Sequence, residues 1–405
     1  MALLAARRNL LRVREGHDHH RVTFVELFFD LVFVFAVTQL SHGLLTHLSW
    51  LGALQTLVLM LAVWWAWIDT AWTTNWLDPE KAGPRLLLFA LMLAGLVLAA
   101  ATPKAFETRA AAFAIAYVAM MAMRDLFMLW ALRAHDPANF RNFVRIGLWH
   151  VALAPLWLAG CYLDSEMRLV LWTLAVAIET VAPLAYFWVP VLGGSTTADW
   201  KVEGGHMAER CGLFVIIALG ESILITGATF AELTWNAATI AAFGICFIGS
   251  VAMWAVYFNI GAGRGSRLIA TSADPGRLAR SGYTYLHIPI IAGIIVAAVA
   301  DERVLHHPGG HVEIVDVAVI LGGPALYLLG NLLFKGLSAP YYPLSHQIGL
   351  AVLGLIAAIA LAMTPLALVA AATMVLILVA VWEWWSLRAP PVPARKARRK
   401  RHART

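Results

Sequence analysis

Long apolar runs alternate along this chain with short polar stretches, and the charges are segregated between the runs. Each run is near the length at which a helix, rising 1.5 Å per residue, crosses about 30 Å of hydrocarbon. Twelve spans are expected: 24–45, 51–72, 85–101, 109–132, 144–163, 168–191, 209–230, 236–260, 283–300, 314–334, 346–363 and 365–387. The pattern predicts an all-α polytopic membrane protein of about twelve transmembrane helices. The third, ninth and eleventh spans are short enough to tilt or to be partly re-entrant. Loops are short, so no soluble domain is inserted. The Gly-rich connector near 193–208 is the longest.

An internal repeat changes this picture from twelve helices to two sets of six. LAGLVLAA (93–100) in the third span matches IAGIIVAA (291–298) in the ninth, and RIGL (145–148) resembles QIGL (347–350). Glu179 aligns with Glu383, and Glu26 with Glu209. The common order of the matches points to two parallel six-helix halves, with any site between them. The expected division is a basic cytosolic segment (1–23), a first half (24–191), a connector (192–208), a second half (209–387) and a basic cytosolic tail (388–405). Chance similarity of apolar segments is the competing explanation.

Composition agrees with a membrane chain. Of 405 residues, 61% are hydrophobic and 13% charged, and mean hydropathy is +0.74, more apolar surface than a soluble protein of this length covers. With the N-terminus in the cytosol, inside segments carry 25 Lys and Arg against 4 outside, with Arg124 left within a span. The positive-inside rule therefore places both termini in the cytosol. Net charge is +6, but eight basic residues crowd the tail from Arg388 to Arg404, so this is no nucleic-acid footprint. Cys161, Cys211 and Cys246 form neither a disulfide framework nor a metal motif. No loop holds a G-x-x-x-x-G-K-[ST] phosphate cradle. The expected partners are membrane lipid, a small-molecule or ion substrate, and a second copy of the chain in a homo-oligomer. No cofactor is expected.

The stretch VELFFDLVFVFAVTQLSH (25–42) resembles the opening signature of the bacterial low temperature requirement protein A family. ERCGLFVIIALGESIL (209–224) resembles its second signature, and MWAVYF (253–258) and YLHIPIIAGI (285–294) fit as well. The resemblance covers nearly the whole chain and implies a polytopic inner-membrane protein, without implying a reaction. Asn259 stands where the resemblance leads one to expect an acidic or basic group after the eighth-span aromatic pair. FFDLVFV within the opening stretch also resembles the Phe-Ser-Asp motif of a family of six-helix-unit potassium channels, which brings a channel into consideration.

Charged groups inside a membrane are rare and costly, so they carry most of the functional argument. Glu26 and Asp30 lie one turn apart on one face of the first span. Arg210, Phe214, Ile217 and Glu221 form one stripe of the seventh. Glu221 lies about 18 Å beyond Glu209 at 1.5 Å per residue, and Glu179 near the midplane of the sixth span. Arg124, Asp125, His150 and His287 sit toward the cytosolic side. The functional reading is a cytosol-open polar cavity ending at Glu221, with Glu26, Asp30 and Arg210 at its mouth. The pathway for substrate or protons would run over Glu221, Glu179, Glu26, Asp30, Arg210, Arg124, His150 and His287. The bland reading is that the shallow charges are buried pairs that orient helices, and that each His simply bonds a neighbour. The His groups at 17–20 and 306–311 lack a closed ligand set, so solvated loops are the expectation there. An aromatic belt accounts for most Trp residues, among them Trp64, Trp65, Trp67, Trp72 and Trp76. Pro155, Pro183, Pro289 and Pro324 free backbone carbonyls in their spans.

Four functions fit: a secondary transporter, proton-coupled; a cation channel; an intramembrane enzyme on a lipid or other hydrophobic substrate; and a non-catalytic scaffold or sensor. No nucleophile–base pair, metal-ligand set or Asp-rich phosphate motif supports an enzyme. The transporter is the leading reading.

Overall fold

The computed structural model describes residues 9–12, 21–197, 200, 202–259, 272, 274–337 and 341–388. Twelve principal helices follow one another, and the described residues form no sheet. They are α1 (Phe24–Thr46), α2 (Trp50–Trp76), α3 (Ala82–Ala101), α4 (Ala110–Leu132), α5 (Pro137–Gly160) and α6 (Ser165–Val181), then α7 (Gly204–Glu232), α8 (Ala237–Phe258), α9 (His287–His306), α10 (Ile314–Leu337), α11 (Leu344–Ala357) and α12 (Pro365–Arg388). Among the described residues, ten helices are long and apolar enough to cross a membrane. The remaining two, α6 with 17 residues and α11 with 14, are shorter. Much of the outer surface is apolar, with Phe24, Leu31, Leu126, Val151, Leu224 and Leu355 exposed. Such a surface suits lipid rather than water.

Three boundaries differ from those the hydropathy pattern predicts. The expected sixth span, 168–191, stops at Val181 because Pro183 follows and the chain turns. Tyr186, Phe187 and Val191 then adopt left-handed backbone, with φ of 55°, 48° and 70°, a conformation that costs energy in residues other than glycine. The ninth span begins earlier than 283. A turn of α-helix at Pro275–Leu278 and a π-helical stretch at Ala279–Tyr285 lead into α9, giving a continuous helix of 32 residues. The eleventh ends at Ala357, followed by a short 3-10 turn. Polar residues inside helical hydrogen bonding explain the second difference: hydropathy marks where a helix is apolar, not where it starts.

Helix starts are fixed by local chemistry. Ser49 accepts from the Gly52 N–H before α2, Asp136 from Asn139 before α5, and Asn236 from Ala238 and Thr239 before α8. Each satisfies amide donors that the first turn leaves unpaired. Glu203 does the same for Gly205 and His206 at α7.

In the first half, α1 packs on α2 and α3, α4 on α2, α3 and α5, and α6 on α2 and α5. In the second, α7 packs on α8 and α9, α10 on α8, α9 and α11, and α12 on α8 and α11. Helices α1–α6 meet α7–α12 where α1 and α2 touch α7 and α9. The tightest pair is α9 with α10, which touch backbone to backbone. A Cβ added at Gly293 would lie 2.6 Å from the Tyr327 nitrogen and 2.8 Å from the Gly323 oxygen. Gly293→Ala is therefore expected to force the helices apart and to cost about 1–3 kcal/mol, in the range of overpacked cores. A melting curve of the purified protein checks this, and an unchanged midpoint would refute the close approach.

The expected aromatic belt is not where Trp64, Trp65 and Trp67 sit. All three are buried in the core. Their indole N–H groups donate to the Thr284 carbonyl, the Thr180 hydroxyl and Asp30 Oδ1. A buried indole needs such a partner.

Candidate functional site

Most buried charges collect toward the face of the bundle at which α1 begins, here called the near face. They form three groups, and the charge balance of each decides what it can do.

The first group joins α1, α2 and α7. Glu26 Oε2 accepts from the Thr23 N–H at 2.9 Å and from Arg12 Nη2 at 3.2 Å. Its Oε1 lies 2.8 Å from His206 Nε2 and 3.3 Å from Arg210 Nη1. Asp30 Oδ1 accepts from Arg210 Nη2 at 2.6 Å and from Trp67 Nε1 at 2.8 Å. The Arg210 guanidinium also lies over the Trp67 and Phe29 rings. Arg12 Nε donates to the carbonyls of Thr74 and Leu77, so the segment before α1 is pinned to the end of α2. Two carboxylates meet two guanidinium groups, and Glu26, Asp30 and Arg210 are all fully buried. The group is closed and neutral with His206 uncharged. None of the three lines a described cavity, so the mouth expected there is instead a packed ion-pair network.

The second group belongs to the second half. Lys335 on α10 donates to Glu383 Oε2 of α12 and to the Val256 carbonyl of α8, both at 2.6 Å, and lies 3.3 Å from His346 Nε2 of α11. One cation meets one carboxylate, again balanced.

The third group is built by α2, α4, α5 and α6. Arg124 Nη2 donates to Asp69 Oδ2 at 3.1 Å, and its Nε lies 3.6 Å from Asp125 Oδ1. His150 Nδ1 lies 2.6 Å from Asp125 Oδ2. His150 Nε2 is 3.8 Å from both Asp69 Oδ2 and Glu179 Oε1. Tyr117 donates to Glu179 Oε2 at 2.6 Å, while Glu179 Oε1 is buried without a hydrogen-bond partner. Three carboxylates face one guanidinium, so with a neutral imidazole the group carries two surplus negative charges. A surplus of that kind in a membrane bundle requires protons or a bound cation.

Cavities reach this group from two sides. A crevice of about 350 Å³ between α4 and α5 is lined by Tyr117, Asp125, His150 and Glu179, with apolar walls that include Leu126 and Val151. A smaller vestibule of about 60 Å³ at the near face is lined by Asp69, Arg124, Trp65, Trp72, Trp200 and Arg280. Arg280 comes from the π-helical stretch, donates to the Pro183 carbonyl and lies 4.8 Å over the Tyr186 ring. The left-handed turn after α6 thus serves to hold the vestibule wall.

The remaining expected residues stand apart. His287 is a satisfied core histidine, with Nε2 2.8 Å from the Tyr257 hydroxyl and Nδ1 2.9 Å from the Gly282 carbonyl. Glu221 is buried on α7 beside Thr38 of α1, where α1 packs on α7. It lines no described cavity, and among the described residues no cation touches it. The His run at 17–20 lies outside the described residues. The cysteines 161, 211 and 246 are unpaired. Nothing along the chain joins Tyr117, His206 or Asp301 to a site. Asp301, on α9, is buried 3.4 Å from the Ser222 hydroxyl; its place two residues before Arg303 makes it look like a loop acid.

Fold and surface define a multi-pass helical membrane protein with buried polar centres. The description of bacterial low temperature requirement A protein (LtrA) matches residues 21–381, and the chain belongs to that family. It is 39% identical over 377 residues to an uncharacterised protein of Rhizobium meliloti (strain 1021), covering 93% of this chain and 92% of that one. No solved structure matches.

Proposed function

We propose that this protein is a secondary transporter, proton-coupled, of the bacterial inner membrane, with both termini cytosolic and twelve spans arranged as two six-helix repeats. The observation that carries this reading is the charge-unbalanced group of Asp69, Arg124, Asp125, His150 and Glu179, reached by cavities from two sides. A scaffold has no use for a buried charge surplus.

The repeat is supported by packing. The two halves share the packing of first helix on second and third, fourth on second, third and fifth, and sixth on second and fifth, while the second half adds fourth on sixth and third on second and sixth. Each half also places a cation, a histidine and a glutamate on its fourth, fifth and sixth helices: Arg124, His150 and Glu179, against Lys335, His346 and Glu383. On this reading α6 and α11 are the short members of their halves.

An occluded layer favours transport over a channel. A cavity of about 150 Å³ at the far face is lined by Gln39, Leu40, His47, Leu59 and Glu107. Between it and the near-face vestibule lie Val37, Leu40, Met60, Trp64, Phe214 and Ile291, around a void of only about 10 Å³. Two cavities, one toward each face, separated by an apolar plug fit alternating access, although the far-face cavity is walled by the first six helices alone. Glu221, at the seam of the halves and without a cation in contact, is the coupling carboxyl on this reading.

The test is reconstitution of the purified protein in liposomes that report internal pH with a dye, challenged with a panel of solutes. Solute-dependent, saturable proton flux is expected. Conductive flux that needs no second solute would replace the transporter by a channel, and a chemically altered lipid extract would replace it by an enzyme.

A further inference from the structure

We propose that Asp69, His150 and Glu179 form a binding site for one divalent transition-metal ion, which names the substrate class of the transporter read above and rests on that reading only for transport, not for binding. The ligand atoms of the three side chains lie within 4.8 Å of one another. His150 Nε2 stands 3.8 Å from an oxygen of each carboxylate. Ligands of a tetrahedral ion with bonds of ~2.0–2.1 Å lie ~3.3 Å apart, so the imidazole stands about half an ångström too far from each carboxylate, and the two carboxylates, within 4.8 Å of each other, are left for the ion to draw together.

Three further features select a metal. Glu179 Oε1 is buried, has no hydrogen-bond partner and is directed at His150 Nε2. Glu179 Oε2 is fixed by the Tyr117 hydroxyl at 2.6 Å, which aims the other oxygen. Asp125 Oδ2 lies 2.6 Å from His150 Nδ1. An ionised carboxylate only accepts, so Nδ1 carries the proton and Nε2 presents its lone pair toward Asp69 and Glu179. A carboxylate behind a histidine is the arrangement that orients imidazole ligands and raises their basicity. One nitrogen and two carboxylate oxygens suit Zn²⁺, Mn²⁺, Fe²⁺ or Co²⁺ better than Ca²⁺ or Mg²⁺, which prefer oxygen alone.

The charges agree. The surplus of two negative charges equals the charge of one divalent ion. Arg124 is engaged by Asp69 Oδ2 and Asp125 Oδ1, which leaves Glu179 Oε1 without a partner. The second half supplies an internal comparison. There the Lys335 ammonium itself lies between Glu383 and His346, whereas Arg124, its counterpart, is engaged by Asp69 and Asp125 and leaves the space between His150 and Glu179 to an exchangeable cation. One ion per chain follows, not two.

The experiment is titration of the full-length protein, purified in detergent without a polyhistidine tag, with Zn²⁺, Mn²⁺ and Co²⁺ separately, by calorimetry and, for Co²⁺, by its visible ligand-field bands. One ion per chain is expected. His150→Ala should weaken binding by about 100-fold or more, and Asp125→Asn, which keeps every ligand but removes the orienting carboxylate, by about 10–100-fold. Because His150→Ala can also unfold the bundle, the Asp125→Asn result is read on protein whose melting midpoint matches wild type. A variant lacking His306, His307 and His311 should bind as wild type does. No binding, or binding that persists in the His150 and Asp125 variants and disappears with those loop histidines, overturns the site. Binding without metal flux in liposomes overturns the transporter reading and keeps the site. Proton-coupled flux of another solute without metal binding does the reverse.

Discussion

Replacing Arg210 by methionine is expected to leave almost no folded protein in the membrane. The Arg210 side chain is fully buried, 2.6 Å from Asp30 and 3.3 Å from Glu26. Methionine fills much of the same volume, so the loss is chiefly of charge. Two buried carboxylates would then share Arg12 alone, whose Nη2 reaches Glu26 and not Asp30. Asp30 would keep a single neutral donor, the Trp67 indole. Removing one partner of a buried pair typically costs ~3–5 kcal/mol, against a net stability of ~5–15 kcal/mol for a folded domain. The readout is the yield of monodisperse protein in detergent extracts and its melting midpoint. Arg210→Lys should fall between the two, because an ammonium keeps the charge but cannot bridge both carboxylates as a fork does. Adding Asp30→Asn to Arg210→Met should recover part of the loss, since an amide has no charge to leave uncompensated. Equal stability of Arg210→Met and wild type would show that the network does not orient α1 and α7.

That network was half legible in the sequence. Glu26, Asp30 and Arg210 stood out because ionised groups on apolar helices are rare, and pairing was the plain alternative to function. Their other partners were not legible. His206 lies in what reads as a Gly-rich connector, and Arg12 precedes the first apolar run, so nothing in one dimension ties either to Glu26. The third group shows the same limit more sharply. Asp69, Arg124, Asp125, His150 and Glu179 are each conspicuous alone, yet they come from four helices, and only packing of α2, α4, α5 and α6 brings them within 4 Å of one another in a chain of contacts. Hydropathy located the helices well where both ends are bounded by polar loops. It failed at α6, where Pro183 ends the helix while the sequence stays apolar, and before α9, where Arg280 and Ser281 lie inside a helix. It also placed Lys335 in a loop, although its ammonium is buried against Glu383.

Glu221→Gln is expected to abolish proton-driven accumulation while leaving the protein folded and able to exchange substrate across the membrane. The carboxyl is buried beside Thr38, where α1 packs on α7. Glutamine keeps the volume and an oxygen acceptor, so α1 and α7 should pack as before. What it cannot do is take up and release a proton. Here Glu221 differs from the acids in the ion-pair networks. Glu26, Asp30 and Glu383 each face a fixed cation, whereas only a proton can neutralise a carboxyl that touches none. It differs from Glu179 as well, which holds the substrate group together, so that Glu179→Gln should lower exchange and accumulation alike. The measurement is paired: uptake against an imposed pH gradient, and counterflow of labelled substrate with no gradient, in the same liposomes. In the Glu221→Gln protein uptake should fall to that of protein-free liposomes while counterflow continues. Uptake that still follows the pH gradient would remove Glu221 from the coupling mechanism, and the neighbouring unbalanced acid, Asp301 beside Ser222, would take its place as the group to substitute next.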